Sequence, residues 1–266
     1  MLNVLFRASI LVLGLSQLAM GAEDAPSPKK KILMVLANPA TSTTTGWPVG
    51  FWGAEFTHPW LELTEAGYQV DVASPDGGKV VMDAYSDPRD ASGYSKHDIV
   101  TLGFVNSPDL VSLWDNTKAV KEIQVNDYEA VIVAGGQSPM FTFRNHEGLK
   151  KLFLSFYESG KYSAVLCHGT ALLLELKDKN GKPFIKGRKI TGFTNAEEDF
   201  ADKAVGKKLM PFRIEDEAKK LGAQFITKPA FSAHAIQDGR LITGQQQNSG
   251  KEVARLLIKA LHGAKR

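Results

Sequence analysis

The sequence predicts an α/β fold, a three-layer sandwich with a mostly parallel central sheet. Two observations predict it. Apolar runs of strand length close on turn residues, and between them apolar residues recur at helical spacing. Ile32-Leu33-Met34-Val35-Leu36-Ala37, closed by Asn38-Pro39, suits a strand buried on both faces of a parallel sheet. A helix follows, with Pro59 in its first turn, Trp60, Leu63 and Ala66 on its apolar face, and Gly67 as its stop. Residues 68–74 read as the second strand, with Pro75-Asp76-Gly77-Gly78 as its turn. The third is Ala130-Val131-Ile132-Val133-Ala134, ending in Gly135-Gly136, and the fourth is Ser163-Ala164-Val165-Leu166. Between these two, Leu149, Leu152, Phe153 and Phe156 mark a helix ended by Gly160. Further strands are expected at 189–192 and 241–243, and further helices at 214–221 and 249–261. Residues 79–127 interrupt the rhythm with Asp87-Pro88, Ser92-Gly93 and an expected helix over 110–123. An insertion this long belongs near a site rim.

Composition narrows the function classes. The 266 residues carry 32 Lys and Arg against 29 Asp and Glu, and no basic stripe interleaved with aromatics occurs, which argues against nucleic-acid binding. Gly135-Gly136 is followed by neither a Gly-x-Gly-x-x-Gly run nor a phosphate-loop Lys, so a nucleotide site is not indicated. A single Cys forms no internal disulfide and no cysteine-rich zinc site. His58, His146 and His234 are scattered without a His-x-x-x-His pairing, so no metal is expected. Trp47, Trp52 and Trp60 are expected to pack rather than to bind.

The N-terminus carries a positive residue, Arg7, an apolar stretch over 8–15 and the small-x-small trio Ala19-Met20-Gly21. This pattern reads as a secretory signal peptide over 1–21, followed by a flexible leader over 22–30 and one domain over 31–266. The expected location is therefore the periplasm or the exterior, with no stable membrane association after processing. The apolar stretch is far shorter than the ~20 residues a spanning helix needs.

The chemistry centres on Cys167. It follows the buried run Ala164-Val165-Leu166 and precedes His168-Gly169-Thr170 and the helical Ala171-Leu172-Leu173-Leu174. Strand, tight turn and helix within a few residues is the arrangement of a nucleophile elbow. A thiol at such a helix N-terminus is expected to ionise readily.

At this point the chain resembles a known family. Cys167-His168-Gly169, Gly135-Gly136, Ile190-Thr191-Gly192-Phe193-Thr194 with Glu197-Glu198, Glu55 within Gly50-Phe51-Trp52-Gly53-Ala54-Glu55, Ala73-Ser74-Pro75-Asp76-Gly77-Gly78 and Asp238-Gly239-Arg240-Leu241-Ile242-Thr243-Gly244-Gln245 are similar to the PfpI and class I glutamine amidotransferase-like superfamily. The likeness is greatest to its stress-protein branch, which includes glyoxalase III and related heat-shock chaperones. The resemblance implies a flavodoxin-like sandwich and a homodimer. It also implies a catalytic set of Cys167 as nucleophile, His168 as its histidine, Glu197 as the acid behind the histidine and Glu55 facing the thiol. Gly136, Gln137 and Gly169, with the backbone of His168, would form the oxyanion and substrate-binding wall. Two departures are Gln137, where the family commonly has His, and Gln246-Gln247-Asn248, where this branch often has Asn-Pro.

A thiolate adds to the aldehyde of a 2-oxoaldehyde, and moving a proton from C1 to C2 of the hemithioacetal gives a thioester that water cleaves to a 2-hydroxy acid. A carboxyl beside the thiol and a histidine oriented by a second acid supply the proton transfers, without a metal or organic cofactor. The expected activity is therefore conversion of methylglyoxal or related dicarbonyls to D-lactate-type products. A holding chaperone that does not need Cys167, and an amide or peptide hydrolase or deglycase using the same side chains, are the alternatives.

Overall fold

The computed structural model describes residues 29–263; the signal peptide and all but the end of the leader read from the sequence lie outside them. In chain order the elements are β1 (Lys31–Val35), a hairpin of β2 (Ala40–Thr41) and β3 (Pro48–Val49), α1 (Gly53–Glu65), β4 (Gln69–Ser74), α2 (Ile99–Val105), α3 (Pro108–Val111), β5 (Lys118–Ala119), β6 (Ala130–Val133), α4 (Pro139–Thr142), α5 (Glu147–Glu158) and β7 (Tyr162–Leu166). A 3₁₀ stretch, Cys167–Glu175, leads to β8 (Lys189–Ile190), α6 (Asn195–Val205), α7 (Ile214–Lys220), β9 (Gln224–Phe225), β10 (Ala235–Asp238), β11 (Leu241–Gly244) and α8 (Gly250–Gly263).

Seven strands form the central sheet in the order β10-β11-β7-β6-β1-β4-β5. All neighbours are parallel except the edge pair β10 and β11. Successive side chains of a strand point to opposite faces, and β1 shows how this builds three layers. Leu33 and Val35 join Val131, Phe153 and Phe156 in the core under α5. Ile32, Met34 and Leu36 join Phe56, Leu63, Val253 and Leu257 in the core under α1 and α8. The strands β1, β6 and β7 are almost wholly buried, which is why, Lys31, Tyr162 and Ser163 apart, their side chains are apolar.

Four expectations change. α1 begins at Gly53, so Pro59 lies inside the helix rather than in its first turn. The missing N–H of Pro59 removes one helical bond, and its ring packs beside Gly250 of α8, where an added Cβ would come within 2.9 Å of it. The continuous helix over 110–123 does not form. Asp115-Asn116-Thr117 turns the chain and β5 pairs with Ala73 and Ser74, while Trp114 is buried against Phe51, Phe56 and Phe104, stacking on Phe104 at 4.7 Å. The strand over 189–192 shortens to β8, paired with β9 outside the main sheet, because the Thr191 N–H donates to the Thr243 hydroxyl instead. The segment after Cys167 is 3₁₀ rather than α-helical.

Candidate active site

The carboxyl ends of parallel strands are where open α/β sheets gather their functional groups, and β6 and β7 deliver Gly135-Gly136 and Cys167 side by side there. Leu166 still has extended backbone, but Cys167 turns to φ 55°, a left-handed conformation that a side chain rarely adopts. This turn holds the thiol at the end of the sheet, against the neighbouring strand. Close approach requires glycine at 135, where a Cβ would lie 2.9 Å from the Cys167 Cβ and 2.7 Å from Glu55 Oε2.

Glu55 stands in the first turn of α1 and is fully buried. Its Oε2 accepts from the Gly135 N–H at 2.7 Å. Oε1 is buried without a donor of normal geometry among the described residues, and the side chain that most affects its proton affinity is Cys167. Burial pushes the Glu55 carboxyl up to about 8. Burial first, and the neighbouring Glu55 second, push the Cys167 thiol well above its ordinary value. The expected ease of ionisation at a helix N-terminus is thus outweighed by desolvation. Two adjacent anions are too costly in so dry a site, so Glu55 and Cys167 titrate as a coupled pair: both hold their protons near neutral pH, and the proton left after the first ionisation lies between carboxyl and sulfur.

Sequence reasoning missed Asp83, which carries no local motif. It is buried, and its two oxygens accept from the Gly50 and Gln137 N–H groups at 2.8 and 2.7 Å. Burial pushes it up to about 7. Its carboxyl pins the loop after β6. The Gly135 and Gln137 N–H groups are thereby engaged, whereas the Gly136 N–H between them has no acceptor among the described residues. Gly136 can hold this position because its φ is 106° and a Cβ would strike the Trp52 nitrogen at 2.5 Å. Of the expected oxyanion wall, Gly136 keeps an N–H without an acceptor among the described residues, and Gln137 lines the cavity. Gly169 packs against β6, where an added Cβ would lie 2.9 Å from the Ala134 carbonyl.

The acid behind the histidine is Glu198, not Glu197. His168 Nδ1 lies 3.9 Å from the Cys167 sulfur, and its Nε2 is 3.0 Å from Glu198 Oε1. Burial pulls the imidazole's proton affinity down, but the Glu198 carboxylate more than offsets it, leaving His168 above its ordinary value. Glu197 is occupied elsewhere. Its Oε2 accepts from the backbone N–H and hydroxyl of Thr194, the N-cap of α6, and its Oε1 accepts from the Phe231 N–H and the Gln245 side-chain amide. Adjacent helical residues point about 100° apart, so one acid closes the helix cap while the next reaches the imidazole.

Cys167, His168 and Glu198 line a cavity of about 200 Å³. Cys167, His168 and Gln137 supply its polar end, and its walls are largely aromatic. Trp47 and Trp52, expected only to pack, line it. Of the three histidines weighed for a metal, His58 pairs with Asp98 and His146 caps α5, while the His234 main-chain N–H donates to the Ser249 hydroxyl. Among the described residues no group of His, Cys, Asp and Glu is arranged to hold a metal ion.

A cysteine on a strand-end elbow, beside a histidine backed by an acid and facing a second carboxyl, defines the class of α/β proteins with a thiol nucleophile. Residues 49–260 match the DJ-1/PfpI family, and the chain belongs to it. It is 31% identical to glyoxalase 3 of Candida albicans, over 86% of this chain and 98% of that one. It is 29% identical to glutathione-independent glyoxalase HSP31 of Saccharomyces cerevisiae, over 88% and 99%. The crystal structure of glyoxalase III from Candida albicans superposes with a TM-score of 0.73, at 28% identity over 87% of this chain and 97% of that one.

Proposed function

We propose that this protein is a glutathione-independent glyoxalase that converts 2-oxoaldehydes such as methylglyoxal to 2-hydroxy acids, with D-lactate as the product from methylglyoxal. The observation that carries this reading is the placement of the buried Glu55 carboxyl against the Cys167 thiol, beside an imidazole that Glu198 holds ready to give or take a proton.

The thiolate form of the pair adds to the aldehyde carbon, and the Gly136 N–H stabilises the oxygen charge that develops. Glu55 gives its proton to that oxygen, completing the hemithioacetal. The carboxylate so formed removes the C1 proton while protonated His168 donates to the C2 oxygen, giving an enediol. Return of the proton from Glu55 to C2, with loss of the C1 hydroxyl proton to His168, leaves a thioester on Cys167. Water, deprotonated within the same network, cleaves it and frees the thiol. The net change is addition of one water to one dicarbonyl.

Purified protein incubated with methylglyoxal, without added thiol, is expected to form lactate, and Cys167→Ser to lose on the order of 10³-fold or more of the turnover. Wild-type inertness, with suppression of client aggregation equal in the two proteins, would favour the holding chaperone. The same reading includes export and a homodimer. Mass spectrometry of the N-terminus after expression in a secreting host tests cleavage near residue 21, and light scattering tests the dimer.

A further inference from the structure

We propose that the aromatic walls of the cavity form a subsite for a bulky apolar substituent, so that the favoured substrate is an aryl 2-oxoaldehyde rather than methylglyoxal. This inference rests on the dicarbonyl reading given above. The reacting end of any such substrate needs only the polar floor around Cys167, and a methyl group leaves most of the remaining space empty. An apolar protein cavity of about 150 Å³ takes up benzene; this one is about 200 Å³ and opens from the thiol toward aromatic rings.

Two aromatic clusters line the cavity. In one, Tyr94 meets Trp52 edge-on at 5.8 Å and Tyr85 at 6.1 Å. In the other, Phe231 meets Phe200 edge-on at 5.0 Å. Edge-to-face clusters of this kind present ring faces and edges against which another ring packs well. Tyr94 and Phe200 are exposed at 51% and 55%, large apolar surfaces that an occupant of the cavity would help to cover.

The walls are also held in place. Phe231 has φ 61°, a strained conformation for an aromatic residue. Its N–H is fixed on buried Glu197 and its carbonyl on the Asn248 side-chain amide. The Gln247 amide donates to the Tyr94 hydroxyl at 3.3 Å. Gln247 and Asn248 are adjacent in sequence, so one short stretch clamps one ring from each cluster. A side chain kept in an unfavourable backbone conformation by two hydrogen bonds, with its ring turned to the nucleophile's cavity, is best explained by what the ring contacts.

The test compares kcat/KM for phenylglyoxal and methylglyoxal in the wild-type protein, Phe231→Ala and Tyr94→Ala. Taking the ratio of the two substrates within each protein and comparing it across variants removes their different intrinsic reactivity. The phenylglyoxal to methylglyoxal ratio is expected to fall about tenfold in each variant, the scale on which loss of an apolar pocket contact discriminates substrates. Should Phe231→Ala fail to fold, Tyr94→Ala, at an exposed position, carries the comparison. An unchanged ratio with methylglyoxal turnover retained overturns the subsite and leaves the glyoxalase reading intact. Wild-type inertness toward both dicarbonyls removes that reading and the subsite with it.

Discussion

Glu55 and Glu198 approach the same thiol and imidazole from different elements, and both are sealed from solvent, at 0% and 1% exposure. Their surroundings nevertheless separate them. Glu198 meets the His168 ring nitrogen at 3.0 Å, a partner able to carry positive charge. Glu55 meets only a backbone N–H and a sulfur, with the acidic Asp83 contributing further repulsion, and it holds its proton up to about 8. The difference shows that burial alone does not set a carboxyl's role. The nearest partner decides whether it orients a base or stores a proton.

The largest expected effect breaks the Glu55 side. Glu55→Gln should lower kcat by ~10²- to 10⁴-fold, the usual contribution of a positioned acid or base. Because Glu55 raises the Cys167 proton affinity, the same change should speed thiol alkylation by iodoacetamide near neutral pH. Slower alkylation, or undiminished turnover, would contradict the coupling of Glu55 to the thiol.

A smaller effect breaks the other side. Glu198→Gln removes the partner that raises His168, so the imidazole titration followed by NMR should move to lower pH, with kcat falling roughly ten- to a hundredfold. Glu197→Gln is the matched control. It should cost about 1–3 kcal/mol of stability, from unsatisfied buried donors, with far less change in the His168 titration. If the two variants exchanged these behaviours, the assignment of the acids would be reversed.

The smallest effect sharpens the comparison through pH. Glu55 and Asp83 bind protons more tightly folded, at about 8 and about 7, than at their ordinary values of 4.5 and 3.8. Their contribution to stability is therefore complete below the ordinary values and is lost as pH rises through the folded ones. Urea midpoints should decline between about pH 4 and about pH 8, and Asp83→Asn should flatten that slope. A slope unchanged in Asp83→Asn would show that its carboxyl keeps its ordinary affinity.

Most of the sheet was legible because β1, β6 and β7 are buried on both faces, and that burial writes itself as apolar runs such as Ile32–Val35 and Ala164–Leu166. Cys167 was legible because its turn joins such a run to another apolar stretch. Residues 79–127 were not, because their short pieces are arranged by a distant aromatic cluster around Trp114 rather than by local periodicity. Asp83 belongs there too, and what fixes its role is two backbone groups far away in sequence. The exchange of Glu197 for Glu198 had a readable signal. Thr194-Asn195-Ala196-Glu197 fits the capping-box pattern, which commits its last residue to the helix start and frees the next. Trp47 and Trp52 are packing and cavity wall at once, a distinction that needs three dimensions.

The left-handed backbone at residue 167 ties reactivity to a permanent conformational tension. A non-glycine residue there costs roughly 1–2 kcal/mol, and serine or alanine inherits the same burden as cysteine, so inactive versions made with them preserve the native geometry. Glycine alone relaxes it. In a descendant released from selection on its chemistry, glycine would remove that tension but also the buried sulfur's packing, so the two effects oppose each other at that single codon.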